Sequence, residues 1–206
     1  MKMRPVWAEI NLKAIEKNIE TLKGLLKPHT LFMAVVKANG YGHGAVEVAR
    51  AAIKAGADRL GVALAEEALE LRRAGVAAPI HILSEIPADA AQDVVEHDFI
   101  ATVSSERAAE VLAREALRYK KTVRVHLKVD TGMSRLGISP DGVPAFLSLL
   151  AAKPELQLEG IFTHFATADQ PANPFWQKQL QEFQGVMKNV ENWGTSRVLR
   201  HAANSA

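Results

Sequence analysis

The stretch Leu31–Gly44, LFMAVVKANGYGHG, decides the fold. An apolar run from Leu31 to Val36 delivers Lys37; a turn-prone Ala-Asn-Gly follows, then Tyr41 and a Gly-His-Gly that opens a helix-like segment. A short, wholly apolar run followed by glycines and then a helical pattern reads as a buried parallel strand entering a βα loop. Lys37 then stands at the carboxyl end of a strand, the rim on which α/β folds carry their chemistry. An amine there, beside a phenol and flexible glycines, suits a Schiff base to a cofactor aldehyde and a hydroxyl donor to its phosphate. Taken by itself, a lysine at a strand end is more often a solvated surface group.

Working outward, Leu12, Ile15, Ile19, Leu22 and Leu25 fall at helical spacing until Lys27-Pro28 ends the run, and Val6–Leu12 alternates loosely enough to predict a short strand before it. Beyond Lys37, helix Gly44–Ala55 precedes strand Arg59–Leu64, and helix Ala65–Ala74 precedes strand Pro79–Leu83. Helix Ala88–His97 leads to strand Phe99–Val103, helix Glu106–Lys120 to strand Val123–Val129, and helix Gly142–Ala152 to strand Leu156–Phe165. A long amphipathic helix carrying Trp176, Leu180, Phe183, Met187 and Val190 comes last, before a final run Arg197–Ala203. Such alternation with short connections predicts an α/β protein, a parallel sheet with helices outside. The expected fold is a (β/α)8 TIM-type barrel truncated after about seven strands, one domain over residues 1–206. A doubly wound sheet alternates in the same way, and periodicity does not separate the two.

Composition narrows the function classes. The 206 residues are 48% hydrophobic with a net charge of +2, so a sizeable core is expected and neither nucleic acid nor a membrane surface is implied. There is no cysteine, hence no disulfide framework, thiolate nucleophile or cysteine-based zinc site. No signal-peptide core or run of membrane-spanning length is present in the sequence, and a soluble cytoplasmic protein is expected. The histidines show no metal-ligand spacing with carboxylates, and no metal is expected.

Two further constellations carry chemistry. In VRVHLKVDTGMSRLGI, Val123–Ile138, Val123, Val125, Leu127 and Val129 are apolar while Arg124, His126, Lys128 and Asp130 form a charged face; Arg135 follows in the loop, offering a planar fork for an oxygen anion. The other reading of this segment is an edge strand with a solvated charged face. In GIFTHFATAD, Gly160–Asp169, an apolar strand ends on His164, which could support a flat cofactor or be structural. The terminal RVLRHAANSA ends with Asn204-Ser205, small polar residues suited to a phosphate.

Together and in order, VVKANGYGHG, HLKVDTGMSRLG, THFATAD and HAANSA resemble the alanine racemases that use pyridoxal phosphate (PLP), as do the opening RPVWAEINLKAIEKNI and the FWQKQLQEF helix. The resemblance runs along essentially the whole chain. It implies that Lys37 links to PLP and acts as one of two bases at the alanine α-carbon. It further implies that Tyr41 and Ser205 hold the phosphate, that Arg135 binds the phenolic oxygen and that His164 supports the ring, with Leu83 and Asn204 lining the pocket. Lys128 matches a lysine that some members carbamylate to orient the arginine. The implied activity is interconversion of L- and D-alanine, supplying D-alanine to the bacterial cell wall, in a cytoplasmic homodimer. The family's second base, a tyrosine from the partner subunit's C-terminal β-domain, its eighth barrel strand and its pyridine-binding arginine have no counterpart in these 206 residues. The chain is therefore expected to be the N-terminal portion of a longer racemase. A non-catalytic PLP carrier and an inactive fragment are the other readings.

Overall fold

The structure, a computed structural model, describes residues 6–192 and 198–204, with residues 191 and 192 by backbone alone. The chain divides into two compact units, Met1–His81 and Ile82–Ala206. In the first, α1 (Leu12–Gly24) starts where Asn11 Oδ1 accepts the Ala14 N–H at 3.1 Å, satisfying one of the orphan donors of a helix start. β1 (Met33–Val35) pairs in parallel with β2 (Arg59–Val62), and Val36 extends the ladder by donating to the Gly61 carbonyl at 2.8 Å. Between them lie α2 (Lys37–Tyr41), a single turn described below, and α3 (Ala45–Lys54), which buries a stripe of small residues, Ala45, Val48, Ala49, Ala51 and Ala52. α4 (Ala65–Arg73) then leads to β3 (Ile80–Glu85), the strand through which the chain passes from the first unit into the second.

The second unit continues with α5 (Ala91–Glu96), β4 (Ile100–Val103), α6 (Glu106–Tyr119), β5 (Val123–Lys128), α7 (Val143–Ala151), β6 (Leu156–Phe162), α8 (Phe175–Asn192) and β7 (Leu199–His201). β4 pairs in parallel with β5, β5 with β6 and β6 with β7. The sheet order is β1-β2-β3-β4-β5-β6-β7, strictly that of the chain. A doubly wound sheet reverses its order at a switch point. This one does not, and its connectivity is that of a (β/α)8 barrel through the seventh strand.

Several expectations are corrected. Val6–Leu12 is not a strand: residues 6–11 have no regular structure, and Val6 and Trp7 are exposed. Alternation makes a strand only where a neighbour supplies hydrogen bonds and covers one face. The helix expected from Ala88 opens as a 3-10 turn, Ala88–Ala90, before α5 begins. β6 stops at Phe162 and β7 spans only Leu199–His201.

The charged face of β5 is solvated only in part, at the half-buried Arg124 and Asp130. Val123, Val125 and Leu127 are buried on one side, and on the other His126 is fully buried and Lys128 is 6% exposed. β6 makes room for this face. Its register against β5 slips by one residue, from Val125–Leu158 to His126–Gly160, so that Glu159 is the extra residue of a bulge. A Cβ on Gly160 would lie 2.5 Å from the His126 ring, so only glycine is accommodated there. Among the described residues no helix is long and apolar enough to cross a membrane.

The two faces of α6 give a direct test of where the core lies. Leu112 is fully buried and Leu117 is 62% exposed on the same helix. Leu112→Ala is expected to lower stability by about 3 kcal/mol, whereas Leu117→Ala should stay within about 0.5 kcal/mol. Denaturant titration of the two variants measures the difference.

Candidate functional site

The lysine loop is built on inverted backbone geometry. After Val36, Ala38, Asn39 and Gly40 take φ/ψ of 51/51, 54/48 and 60/39°, and Tyr41 and Gly42 continue at φ 54 and 82°. α2 is therefore a left-handed helical turn, closed by Gly40 N–H to Val36 C=O, Gly42 N–H to Ala38 C=O and Gly44 N–H to Asn39 C=O, each 2.9 Å. Each non-glycine residue in this conformation costs about 1–2 kcal/mol, so successive ones persist only where the surroundings enforce them.

Three contacts enforce it. Gly40 is buried against α3, where a Cβ would approach Val48 Cγ2 to 3.2 Å. Asn39 Oδ1 accepts the Ala45 N–H at 2.8 Å, capping α3 from within the turn. Glu67, in the first turn of α4, accepts the Ala38 N–H on Oε1 at 2.6 Å and the Ala63 and Leu64 N–H groups on Oε2 at 2.7 and 3.1 Å. Lys37 emerges half-buried at the start of this turn, its Nζ 5.9 Å from the ring centroid of Tyr41, and Tyr41 is 58% exposed.

In the second unit, the loop after β5 is shaped around Asp130. Its Oδ1 accepts the Gly132 and Ser134 N–H groups at 2.9 and 3.0 Å, and main-chain bonds between Asp130 and Ile138 and between Ile138 and Lys128 close the loop at 2.8 and 2.9 Å. Gly137, at φ 138°, lies so near that a Cβ would sit 2.6 Å from the Asp130 nitrogen. Arg135 is exposed within this compact loop. Lys128, at the carboxyl end of β5, is buried with its Nζ 5.2 Å from the Phe162 ring centroid. The Thr131 and Thr163 hydroxyls meet at 2.8 Å and join the loops after β5 and β6.

His164 follows β6 and is half-buried. The fully buried amide of Gln179 on α8 grips its segment, accepting the Ala166 N–H at 2.9 Å and donating to the His164 carbonyl at 3.0 Å. Asn204 donates to the neighbouring Phe165 carbonyl at 3.4 Å, which brings it beside the His164 segment. Leu83 is half-buried in β3, and Ser205 lies outside the described residues. The structure thus joins Lys37 with Tyr41 in the first unit. In the second it gathers Lys128, Arg135, His164 and Asn204 on the segments that end β5, β6 and β7.

Behind these rim residues runs a polar chain that spacing did not reveal. His126 Nε2 lies 2.9 Å from Glu159 Oε2, and His126 Nδ1 lies 2.8 Å from His201 Nε2. Arg124 reaches the other Glu159 oxygen at 3.4 Å, and His201 stacks on Phe162 with ring centroids 4.5 Å apart. A carboxylate only accepts, so His126 Nε2 carries a proton; while His126 is neutral, its Nδ1 accepts from His201. Glu159 was illegible because a bulge reassigns its direction, and Gln179 because it is one polar residue in an amphipathic helix. Glu67 did leave a signal, a glutamate at the third position of a helix.

Residues 10–206 match the family model described as the N-terminal domain of alanine racemase. The chain is 47% identical over 204 residues to an alanine racemase of Symbiobacterium thermophilum, covering 99% of this chain and 54% of that protein. It is 44% identical over 203 residues to an alanine racemase of Desulfovibrio desulfuricans, covering 98% of this chain and 55% of that protein. A solved alanine racemase of Clostridium difficile 630 superposes with a TM-score of 0.94 at 35% identity, over all of this chain and 57% of that one. The chain spans about half the length of the curated relatives it matches.

Gln179→Leu keeps volume but leaves the Ala166 N–H and the His164 carbonyl without this partner, a loss of about 2–4 kcal/mol. Hydrogen exchange at Ala166 should accelerate accordingly, and a thermal melt should register the same loss.

Proposed function

Because the chain belongs to the alanine racemase N-terminal domain family, we propose that it is the cofactor-binding part of an enzyme that interconverts L-alanine and D-alanine with PLP. The observation that carries this reading is Lys37, set at the carboxyl end of β1 by a left-handed turn whose strain has no evident use in mere connection. The donor set fits PLP in kind. A primary amine answers an aldehyde, the Tyr41 hydroxyl answers a phosphate, and the Arg135 guanidinium answers a phenolic oxygen. Bound PLP supplies an electron sink that makes the alanine α-proton labile.

In this reading Lys37 holds the cofactor through its amine and exchanges a proton with the α-carbon on one face. Tyr41 and Ser205 hold the phosphate, Arg135 fixes the phenolic oxygen, His164 supports the ring, and Leu83 and Asn204 line the pocket. Lys128, buried at the end of β5, is the candidate for a carbamylated lysine that orients Arg135. A base for the opposite face comes from a tyrosine of a second subunit, which makes the working enzyme a homodimer. Its product, in a cytoplasmic setting, supplies D-alanine for the cell wall.

The reading is tested by incubating the chain with PLP, reducing with borohydride and mapping the pyridoxylated peptide by mass. A label on Lys37 is expected. Lys37→Ala should remove it and lower formation of D-alanine from L-alanine by about 10³-fold or more. Labelling of Lys37 without racemisation under any subunit combination would favour a PLP carrier, and scattered labelling would overturn the cofactor reading.

A further inference from the structure

The carboxylate of Glu67 does more than start a helix. A glutamate at the third position of a helix ordinarily reaches back to the N-cap N–H alone. Here Oε2 does that, taking the Leu64 N–H and also that of Ala63, while Oε1 is turned the other way. It accepts the Ala38 N–H at 2.6 Å, the shortest of the three bonds. That N–H belongs to the peptide group immediately after Lys37. Its orientation sets ψ of Lys37 and φ of Ala38, and so the angle at which the lysine leaves the strand.

The bond is made at the start of the inverted backbone. Ala38 is the first residue of the left-handed turn, at φ 51° and ψ 51°, and its N–H turns to a side chain, whereas the Gly40 and Gly42 N–H groups bond the Val36 and Ala38 carbonyls. We infer that Glu67 is the positioning residue of Lys37: one oxygen anchors the start of α4, and the other fixes the lysine's peptide so that the amine is presented to a cofactor aldehyde. This rests on the reading of Lys37 given above. It assigns Glu67 no contact with cofactor or substrate.

Glu67→Gln separates the two jobs. Its single amide oxygen can still serve the Ala63 and Leu64 N–H pair, but its NH2 then faces the Ala38 N–H, donor against donor. The full chain and this variant are compared by amide hydrogen exchange without PLP, and by the rate and pH profile of borohydride-trapped pyridoxylation at Lys37. In Glu67→Gln, Ala38 should exchange about tenfold faster with Ala63 and Leu64 unchanged, and Lys37 should be labelled about tenfold more slowly with an altered pH profile. The melting temperature should hardly move. Glu67→Ala should lose stability as well, because it gives up the anchor of α4. Wild-type exchange at Ala38 and wild-type labelling of Lys37 in Glu67→Gln would reduce Glu67 to a helix cap and overturn the inference. Absence of label on Lys37 in the unsubstituted chain would instead remove the cofactor reading, and this inference with it.

Discussion

A main-chain N–H that leaves a parallel strand loses its ladder partner and must find another. In this protein the partner is repeatedly a side chain. Glu67 takes three such groups around Ala38 and the start of α4, and Asp130 takes two in the loop that carries Arg135. Glu85 takes the Ser104 N–H at 2.9 Å together with the Ser104 and Ser105 hydroxyls, and Gln179 serves the segment of His164. Loops fixed in this way behave as extensions of the elements that bear them. The candidate site owes its definition to these acids and amides as much as to the residues that would touch a ligand.

The buried polar face of β5 obeys the same constraint more severely. A fully buried histidine must use both ring nitrogens or lose their hydration without return. His126 does so through Glu159 and His201, and the arrangement needs two departures from regular structure: an extra residue in β6 and a missing side chain at Gly160. A half-satisfied network would cost more than an apolar one. That makes Arg124, His126, Glu159 and His201 one unit in which a change at any member is felt by the rest.

Much of this was legible in the residues. Helix starts such as Leu12 after Asn11, the order of strands and helices, and Lys37 at the end of an apolar run all rest on local periodicity and capping, which the sequence expresses directly. Other features depend on partners distant in the chain. Val6–Leu12 alternates like a strand, yet residues 6–11 form none. The face of Arg124, His126 and Lys128 could be read as a site or as a solvated edge, and burial of His126 and Lys128 depends on the bulge in β6. The Asn39-Gly40 pair hinted at a turn, but no local pattern could announce that Ala38 and Tyr41 would also adopt positive φ, because their own preferences oppose it. What the neighbours impose, the segment itself does not record.

The left-handed turn has one more implication, and it concerns time. A non-glycine residue visits that region only a few per cent of the time. In an unfolded chain, Ala38, Asn39 and Tyr41 would therefore occupy it together on the order of once in 10⁴ instances. In the folded chain it is the bond to Glu67 and the packing against Val48 that hold this geometry. A nascent or misfolded copy carries the same amine without the contacts that fix the backbone around it.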